Sequence, residues 1–190
     1  MITTDDTELA ERLRRLRHQG MSLSDYARHG GPPTRFESYA EIGYNHRITD
    51  IQAAIGLAQL DRLDYILERR HAVAARYGVY LSGHPALIAP HVPPGLTHNW
   101  QSYQVRLSEH AGLSRNAVMD RLFEIGIPTR RGVMASHLEP PYRRDAPSLP
   151  LTESTAAATV QLPMHPELTP EQQDRVLNAL DLVTTETARA

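Results

Sequence analysis

Two residue types are missing from the sequence. It contains no cysteine, which excludes disulfide bonds and thiolate metal sites and fits a reducing cytoplasm, where we expect the protein to work. The 20 residues counted as Lys plus Arg are all arginines, so no side chain carries the primary amine on which a Schiff base forms. No apolar run approaches membrane-spanning length, and the opening MITTDDTELAER lacks the pattern of a secretory signal.

The composition is that of an ordinary soluble globular protein. The 190 residues are 41% hydrophobic and 22% charged, enough for one domain with a real core. A net charge of −2 predicts neither a generic nucleic-acid binder nor a protein of acidic membranes. Ten histidines are present, but prolines separate the evenly spaced His84, His91 and His98, and no metal site is predicted.

The most informative stretch is residues 43–56, GYNHRITDIQAAIG. Thr49 and Gln52 have the spacing of a capping box, which predicts a helix start at this point. Asn45 and Arg47 precede that start, where free backbone N–H groups and the helix dipole favour an anion. The pattern therefore predicts a phosphate or carboxylate site, although an isolated Asn-x-Arg could equally be a helix entry that satisfies only its own backbone.

Three segments are predicted in the first half of the chain. A helix over residues 5–18 begins with Asp5 and Glu8 and ends near Gly20, and we expect its arginine-rich outer face to be solvated. Residues 19–46 are predicted to be a loop. Residues 49–78 are predicted to be one long helix of roughly 45 Å, long enough to connect two domains, and Gly56 within it indicates close helix packing.

The second half alternates between strands and helices. The predicted elements are short strands at 86–89, 127–130 and 160–162, a half-buried strand at 102–107, and helices after Ser114, at 153–159 and after Thr169, the last of which should fray over residues 184–190. Pro128 favours either an edge position for the strand at 127–130 or the start of a strand. This order predicts an α+β fold class.

The segment GYNHRITDIQAAIGLAQLDRLD resembles the hallmark of the DegT/DnrJ/StrS family of sugar aminotransferases, which use pyridoxal 5'-phosphate (PLP). The resemblance covers nearly all of this chain but only the C-terminal half of a family member. It implies an α/β-type PLP-transferase C-terminal portion, that is, a fold-type I small domain plus a long interdomain helix. Residues 1–48 would be a remnant of the large PLP-binding domain and its active-site loop, residues 49–82 the interdomain and dimer helix, and residues 83–190 the small domain.

The same resemblance implies roles for the residues before the helix. Asn45 would reach across a dimer interface to the PLP phosphate of the other subunit, and Arg47 would lie near it and meet the anionic part of the substrate. The dimer would form through residues 43–67. PLP would be shared with a partner chain or with a missing N-terminal half, because the family's lysine is expected shortly before the passage that resembles MITTDD.

Three further residues are candidates for substrate contact. Arg130 and Arg131 are guanidiniums at a strand end, which suits a phosphate or carboxylate, or they are solvated loop arginines. The segment GIPTRRGVMASHLEPPYR resembles the family's substrate-side loop, which implies that Arg130 and His137 contact the nucleotide sugar. His98, in THNWQSYQVRL, is a candidate by analogy of fold, whereas Tyr103 there fits a core strand with an aromatic plug.

The expected function is the C-terminal part of a PLP-dependent aminotransferase acting on nucleotide-linked keto sugars, with an amino-acid donor, in amino-sugar or polysaccharide biosynthesis. Because the chain has no lysine, we expect it to be inactive alone. Three alternatives stay open at this point. They are a non-catalytic remnant or partner-binding module, a fragment of a related PLP-dependent sugar dehydratase, and a stand-alone sugar-nucleotide binder.

Overall fold

The computed structural model describes residues 2–24, 26–27, 30–32, 34 and 36–185. The chain divides into two compact units, the first ending at Asp61 and the second beginning at Arg62. The regular structure of the described residues consists of helices and a small antiparallel sheet. This confirms the predicted α+β class.

The first unit begins with helix α1 (Thr7–Leu16). Its N-cap is Asp6, one residue after the predicted start, and the Asp6 carboxylate accepts the N–H of Leu9 at 2.9 Å. Beyond the helix, Gly20 adopts a φ of +77° and donates its N–H to the carbonyl of Arg15 at 2.9 Å. Helix α1 ends two residues before the predicted end at residue 18, and Gly20 lies in the turn that follows the helix.

The predicted loop is closed at its base by backbone contacts. Antiparallel bridges join His18 to Asn45 and Met21 to Tyr39. Within this base the N–H of Gln19 donates to the carbonyl of Tyr44 at 2.9 Å. The beginning of the segment 43–56 is therefore fixed to the end of α1.

Two glycines make this closure possible. A Cβ at Gly20 would collide with the carbonyl oxygen of Glu41, and a Cβ at Gly43 would collide with the backbone nitrogen of Gly20. Backbones can approach this closely only where neither residue carries a side chain. Gly20 and Gly43 together therefore hold residues 43–47 against the end of α1.

The arginine-rich face of α1 is only partly solvated. Arg12 and Arg15 both bind the Glu41 carboxylate, with nitrogen-to-oxygen distances of 3.0 Å and 3.5 Å. The prediction of a wholly solvated face is wrong for these two residues, because the loop returns Glu41 to the helix surface.

The predicted long helix is two helices, so the prediction of one continuous helix over residues 49–78 is wrong. Helix α2 (Asp50–Leu60) ends before Asp61, and helix α3 (Leu63–Leu81) begins after Arg62. The backbone of Arg62, at φ −99° and ψ 3°, departs from helical values. The second unit holds the start of α3, since the Arg62 guanidinium lies 3.6 Å from Glu167 and the Tyr65 hydroxyl 3.4 Å from the same carboxylate.

Helix α2 buries none of its residues in this chain. Apart from its chain neighbours and the backbone of α2 itself, nothing in the described part of the chain lies within 4 Å of a Cβ built at Gly56, so the close packing expected there is not found. The assignment of 1–48, 49–82 and 83–190 to large-domain remnant, interdomain helix and small domain stays a prediction, and the boundary between units falls inside its middle segment.

The second unit contains a four-stranded antiparallel sheet in the order β1-β2-β4-β3. The strands are β1 (Leu87–Ile88), β2 (Tyr103–Leu107), β3 (Arg130–Arg131) and β4 (Thr159–Leu162). Alternate residues of β2 are buried, as predicted from its sequence. Strand β3 is shorter and later than the predicted 127–130, but its position at the sheet edge is confirmed.

Three further helices complete this unit: α4 (Arg115–Glu124), α5 (Pro150–Ala158) and α6 (Pro170–Thr185). Single 3-10 turns occur at Glu109–Ala111, Ser136–Leu138 and Arg143–Asp145. The predicted caps at Ser114 and Thr169 are confirmed, since each hydroxyl accepts the backbone N–H three residues later, at 3.3 Å and 3.2 Å. Helix α6 continues through Thr184, whose side chain is buried, so fraying from residue 184 is wrong; residues 186–190 lie outside the described part.

Helices α3 and α6 are joined by polar contacts as well as by the core. Arg76 donates to the Asp174 carboxylate and to the carbonyl of Pro170, both at 2.6 Å. Gln173 is buried and donates to the carbonyl of Val73 at 2.8 Å. These contacts fix α3 to the last helix along much of its length.

The core of the second unit is made of side chains from α3, α4, α6 and the sheet. The largest fully buried ones include Tyr77, Leu87, Tyr103, Leu122 and Leu180, each worth roughly 1.5–3 kcal/mol if its burial is complete. The Tyr77 hydroxyl donates to the carbonyl of Pro163 at 3.0 Å, and burial raises its pKa above the ordinary value. This core fixes the sheet whose edge carries Arg130 and Arg131.

Candidate functional site

The helix start predicted from residues 43–56 is present. The Thr49 hydroxyl accepts the N–H of Gln52 at 3.3 Å, and the Gln52 side chain accepts the N–H of Thr49 at 2.9 Å. This reciprocal pair is a capping box. It fixes the direction in which the chain enters α2 and therefore where the preceding residues lie.

Asn45 and Arg47 form a side-chain pair immediately before that helix. The Nε of Arg47 donates to the Oδ1 of Asn45 at 3.0 Å, and both residues are exposed. The side-chain oxygen of Asn45 accepts this hydrogen bond, and the Asn45 amide N–H₂ and the Arg47 guanidinium are both donor groups at an exposed position. The backbone of the pair is anchored by the bridge from Asn45 to His18 and by the N–H of His46, which donates to Arg17 at 3.0 Å.

This arrangement has the chemistry of an anion site. It presents donors beside the positive end of a helix dipole, and the one acidic residue of the first turn of α2 is Asp50. A planar guanidinium and a primary amide can both donate to phosphate oxygens. The residues present therefore fit a phosphate group.

Arg130 and Arg131 lie on the edge strand β3, opposite Gln161 and Val160 of β4. Neither guanidinium makes a hydrogen bond or ion pair with any other residue that the structure describes, and both are exposed. A concavity of about 590 Å³ adjoins them and is also lined by Thr129, Gly132 and Gln161. Its volume lies in the range of small-molecule sites, and its unpaired cations suit an anionic ligand.

His137 is engaged with a carboxylate. Its Nε2 lies 3.1 Å from the Oε1 of Glu153, and its side chain is 12% exposed. The hydrogen bond from His137, followed by that from the N–H of Leu149 at 2.9 Å, holds the pKa of Glu153 below its ordinary value. His137 lines none of the three concavities that adjoin residues 132–134, whereas Glu153 lines one of them, so Arg130 and His137 are not brought together there.

Glu153 is a residue that the sequence analysis missed. It stands in the first turn of α5, whose N-cap residue, Leu149, has no side chain that can cap it. A carboxylate in that turn after Pro150 is the signal that could have identified it.

His98 lies at the outer end of an aromatic stack. Its Nδ1 accepts the N–H of Trp100 at 2.8 Å, and its ring lies 4.3 Å from that of Trp100, which lies 5.4 Å from Tyr103. Trp100 has a φ of 49°, a left-handed conformation that is uncommon outside glycine. Tyr103 is buried and its pKa is raised by burial to about 12, which confirms the aromatic plug, while substrate contact by His98 stays a prediction.

Metal and membrane features are not found in the described part of the chain. No three His, Asp or Glu side chains there are grouped as a metal site requires. No helix among the described residues is long and apolar enough to cross a bilayer.

Solved structures with this architecture include aminotransferases. DesV from S. venezuelae, in complex with a ketimine intermediate, matches with a TM-score of 0.81 at 34% identity, over 99% of this chain and 46% of its own. The aminotransferase TlmJ from Streptoalloteichus hindustanus matches with a TM-score of 0.81 at 30% identity, over 97% of this chain and 47% of its own. The fold is therefore that of about half of an aminotransferase of this class, and the predicted α+β fold class is confirmed.

The chain belongs to the DegT/DnrJ/EryC1/StrS aminotransferase family, which it matches over residues 1–181. It is 38% identical over 185 residues to the GDP-perosamine synthase of Caulobacter vibrioides, covering 96% of this chain and 47% of that relative. The resemblance stated from residues 43–64 is thereby confirmed. The chain spans about half the length of the relatives it matches.

Proposed function

We propose that this chain is the C-terminal part of a PLP-dependent aminotransferase that acts on nucleotide-linked keto sugars in amino-sugar biosynthesis. The observation that carries the proposal is the Asn45–Arg47 pair at the capped start of α2, in a chain of this family. In this proposal the pair binds the cofactor phosphate. PLP, when bound, supplies an electron sink for amino transfer.

The remaining candidate residues contact or position the nucleotide-sugar substrate in this proposal. Arg130, with its neighbour Arg131, binds the anionic part of the nucleotide sugar in the 590 Å³ concavity. His137 contributes through the segment that it fixes to Glu153, and His98 through the outer end of the aromatic stack. The amino-acid donor is the other substrate that the family implies.

The chain requires a partner in this proposal. Without lysine it has no side-chain amine to hold PLP as a Schiff base, so the lysine comes from an N-terminal half or a partner chain, and the chain alone is inactive. The dimer forms through residues 43–67, where Ile48, Ile51 and Leu57 are each more than half exposed and could be covered by a partner. The assembly works in the cytoplasm.

The experiment is complementation. The chain is co-expressed with the N-terminal half of the Caulobacter vibrioides GDP-perosamine synthase, and the purified pair is assayed for glutamate-dependent amination of a nucleotide-linked keto sugar. We expect activity from the pair and none from either half. Arg14→Gln, an exposed change on α1 remote from residues 43–56 in sequence, is the matched control for Arg47→Gln, which should lower activity.

Two outcomes favour the alternatives over this proposal. If the pair forms but neither binds PLP nor aminates, the chain is a partner-binding module, a function favoured by the absence of any buried residue in α2 as the structure describes it. If activity appears only with a half that carries histidine in place of the lysine, and yields a deoxy sugar, the chain belongs to a dehydratase.

A further inference from the structure

A second and smaller cavity also adjoins residues 131–134. Its volume is about 230 Å³, which is below the range of about 300–1,000 Å³ for drug-sized ligands. A nucleotide sugar is too large for a cavity of this volume, which therefore suits a smaller molecule. Four charged side chains line it: Arg115, Arg131, Glu139 and Glu153.

Two of these charged groups are held in place by the fold. Arg115 donates to the carbonyl of Ala156 at 2.6 Å and to the side chain of Asn116 at 3.0 Å and 2.9 Å, which leaves further guanidinium N–H donors uncommitted. Glu153 uses its Oε1 for His137 and Leu149, which leaves its Oε2 as an acceptor. Both groups are therefore positioned before any ligand arrives.

The other two charged residues are Arg131 and Glu139. Neither Arg131 nor Glu139 makes a side-chain hydrogen bond or ion pair with the residues that the structure describes. Two guanidiniums and two carboxylates thus surround one small cavity with no net charge. A phosphate dianion would meet both carboxylates there, whereas a molecule with one charge of each sign can satisfy both kinds of group.

The rest of the lining is apolar. Val133, Met134, Leu138 and the alanines at 156 and 157 form the remaining wall, and such a wall favours an aliphatic group. We propose that this cavity binds an α-amino acid with an apolar side chain: the guanidiniums take the α-carboxylate, the glutamates take the α-ammonium, and the apolar wall takes the side chain.

This site shares a segment with the proposed substrate concavity. Arg131, Gly132, Val133 and Met134 line both, so a ligand in the smaller cavity fixes residues that also form the larger one. The two proposed sites share Arg131, but the amino-acid site is tested without PLP or a nucleotide sugar, so its failure and that of the proposed function can be told apart.

The test is a titration of the full chain, labelled with ¹⁵N, with L-leucine followed by NMR. We expect saturable shifts at the amides of residues 131–139. L-Leucinamide, which lacks the carboxylate, and 4-methylpentanoate, which lacks the ammonium, should each bind about tenfold more weakly, as expected when a charge-assisted contact is lost.

Variants assign the contacts. Arg131→Gln and Glu139→Gln should each weaken leucine binding about tenfold, while Arg121→Gln, an arginine of α4 outside the cavity, should leave it unchanged. Unaltered amide spectra away from residues 131–139 show that the variants are folded. No saturable shift up to about 10 mM leucine, equal binding of inorganic phosphate, or unchanged binding in both Arg131→Gln and Glu139→Gln would overturn the proposal.

Discussion

A glycine-to-alanine pair tests how the fold holds the candidate phosphate site. Gly43 and Gly56 lie on either side of Asn45, Arg47 and the helix start. A methyl group at Gly43 would collide with the backbone nitrogen of Gly20, whereas one at Gly56 meets nothing within 4 Å. The same substitution should therefore have opposite effects at the two positions.

The magnitudes follow from these surroundings. At Gly43 the backbone must move apart, and such overpacking costs about 1–3 kcal/mol. The hydrogen bonds that close the loop would be lost first, including that from Tyr44 to the carbonyl of Leu16 at 2.6 Å. At Gly56, in the interior of α2, alanine should stabilise the helix of the isolated chain by about 1 kcal/mol.

Amide hydrogen exchange reports on both changes separately. In Gly43→Ala we expect protection at Gln19, Tyr44 and His46 to fall by about tenfold or more, since roughly 1.4 kcal/mol corresponds to a factor of ten. In Gly56→Ala those amides should be unchanged while those of α2 exchange more slowly. Wild-type protection of the loop base in Gly43→Ala would refute the role given to the two glycines.

Three further changes test other contacts. Thr49→Ala removes the hydroxyl of the capping box and should destabilise α2 by about 1 kcal/mol, seen as reduced helical circular dichroism, and an unchanged spectrum would contradict the cap. Tyr77→Phe leaves the Pro163 carbonyl without its buried donor and should lower the free energy of unfolding by about 1–2 kcal/mol, measured by urea denaturation, with no change counting against that bond. Because the pKa of Glu153 is lowered in the folded state, its contribution to stability is present above the ordinary value of 4.5 and is lost as the pH falls below it. Glu153→Gln should therefore be less stable than wild type at neutral pH, and it should lose less stability than wild type when the pH is lowered below 4.5. If the urea midpoints of the two proteins differ by the same amount at neutral pH and below 4.5, this expectation is contradicted.

Local features of the fold were predictable from the sequence because their causes lie within a few residues. The Thr49 and Thr169 caps follow from the spacing of a hydroxyl and an amide side chain three residues apart. The burial of alternate residues in β2 follows from strand geometry. The edge position predicted from Pro128 is also observed, although β3 begins two residues after the proline.

Features that depend on distant contacts were not predictable. No proline or glycine marks the interruption at Asp61 and Arg62, where contacts with Glu167, about a hundred residues later in the chain, hold the start of α3. The contact of Arg12 with Glu41 spans 29 residues and depends on the closure of the loop.

The candidate site divides in the same way. The position of Asn45 and Arg47 directly before a capped helix start was predictable, because the motif and the cap are local in the sequence. The pairing of His137 with Glu153 was not, because it joins a 3-10 turn to the first turn of α5 across an intervening loop.

The measurement that tests the central proposal most directly is the affinity for PLP of this chain assembled with a complementary N-terminal half, compared between wild type, Asn45→Ala and Arg47→Gln. If this chain supplies the phosphate contacts, each substitution should raise the dissociation constant by about tenfold or more, as loss of a hydrogen bond to a charged group implies. Arg14→Gln should leave it unchanged. Equal PLP affinity in all four assemblies would contradict the assignment of Asn45 and Arg47 to the cofactor phosphate.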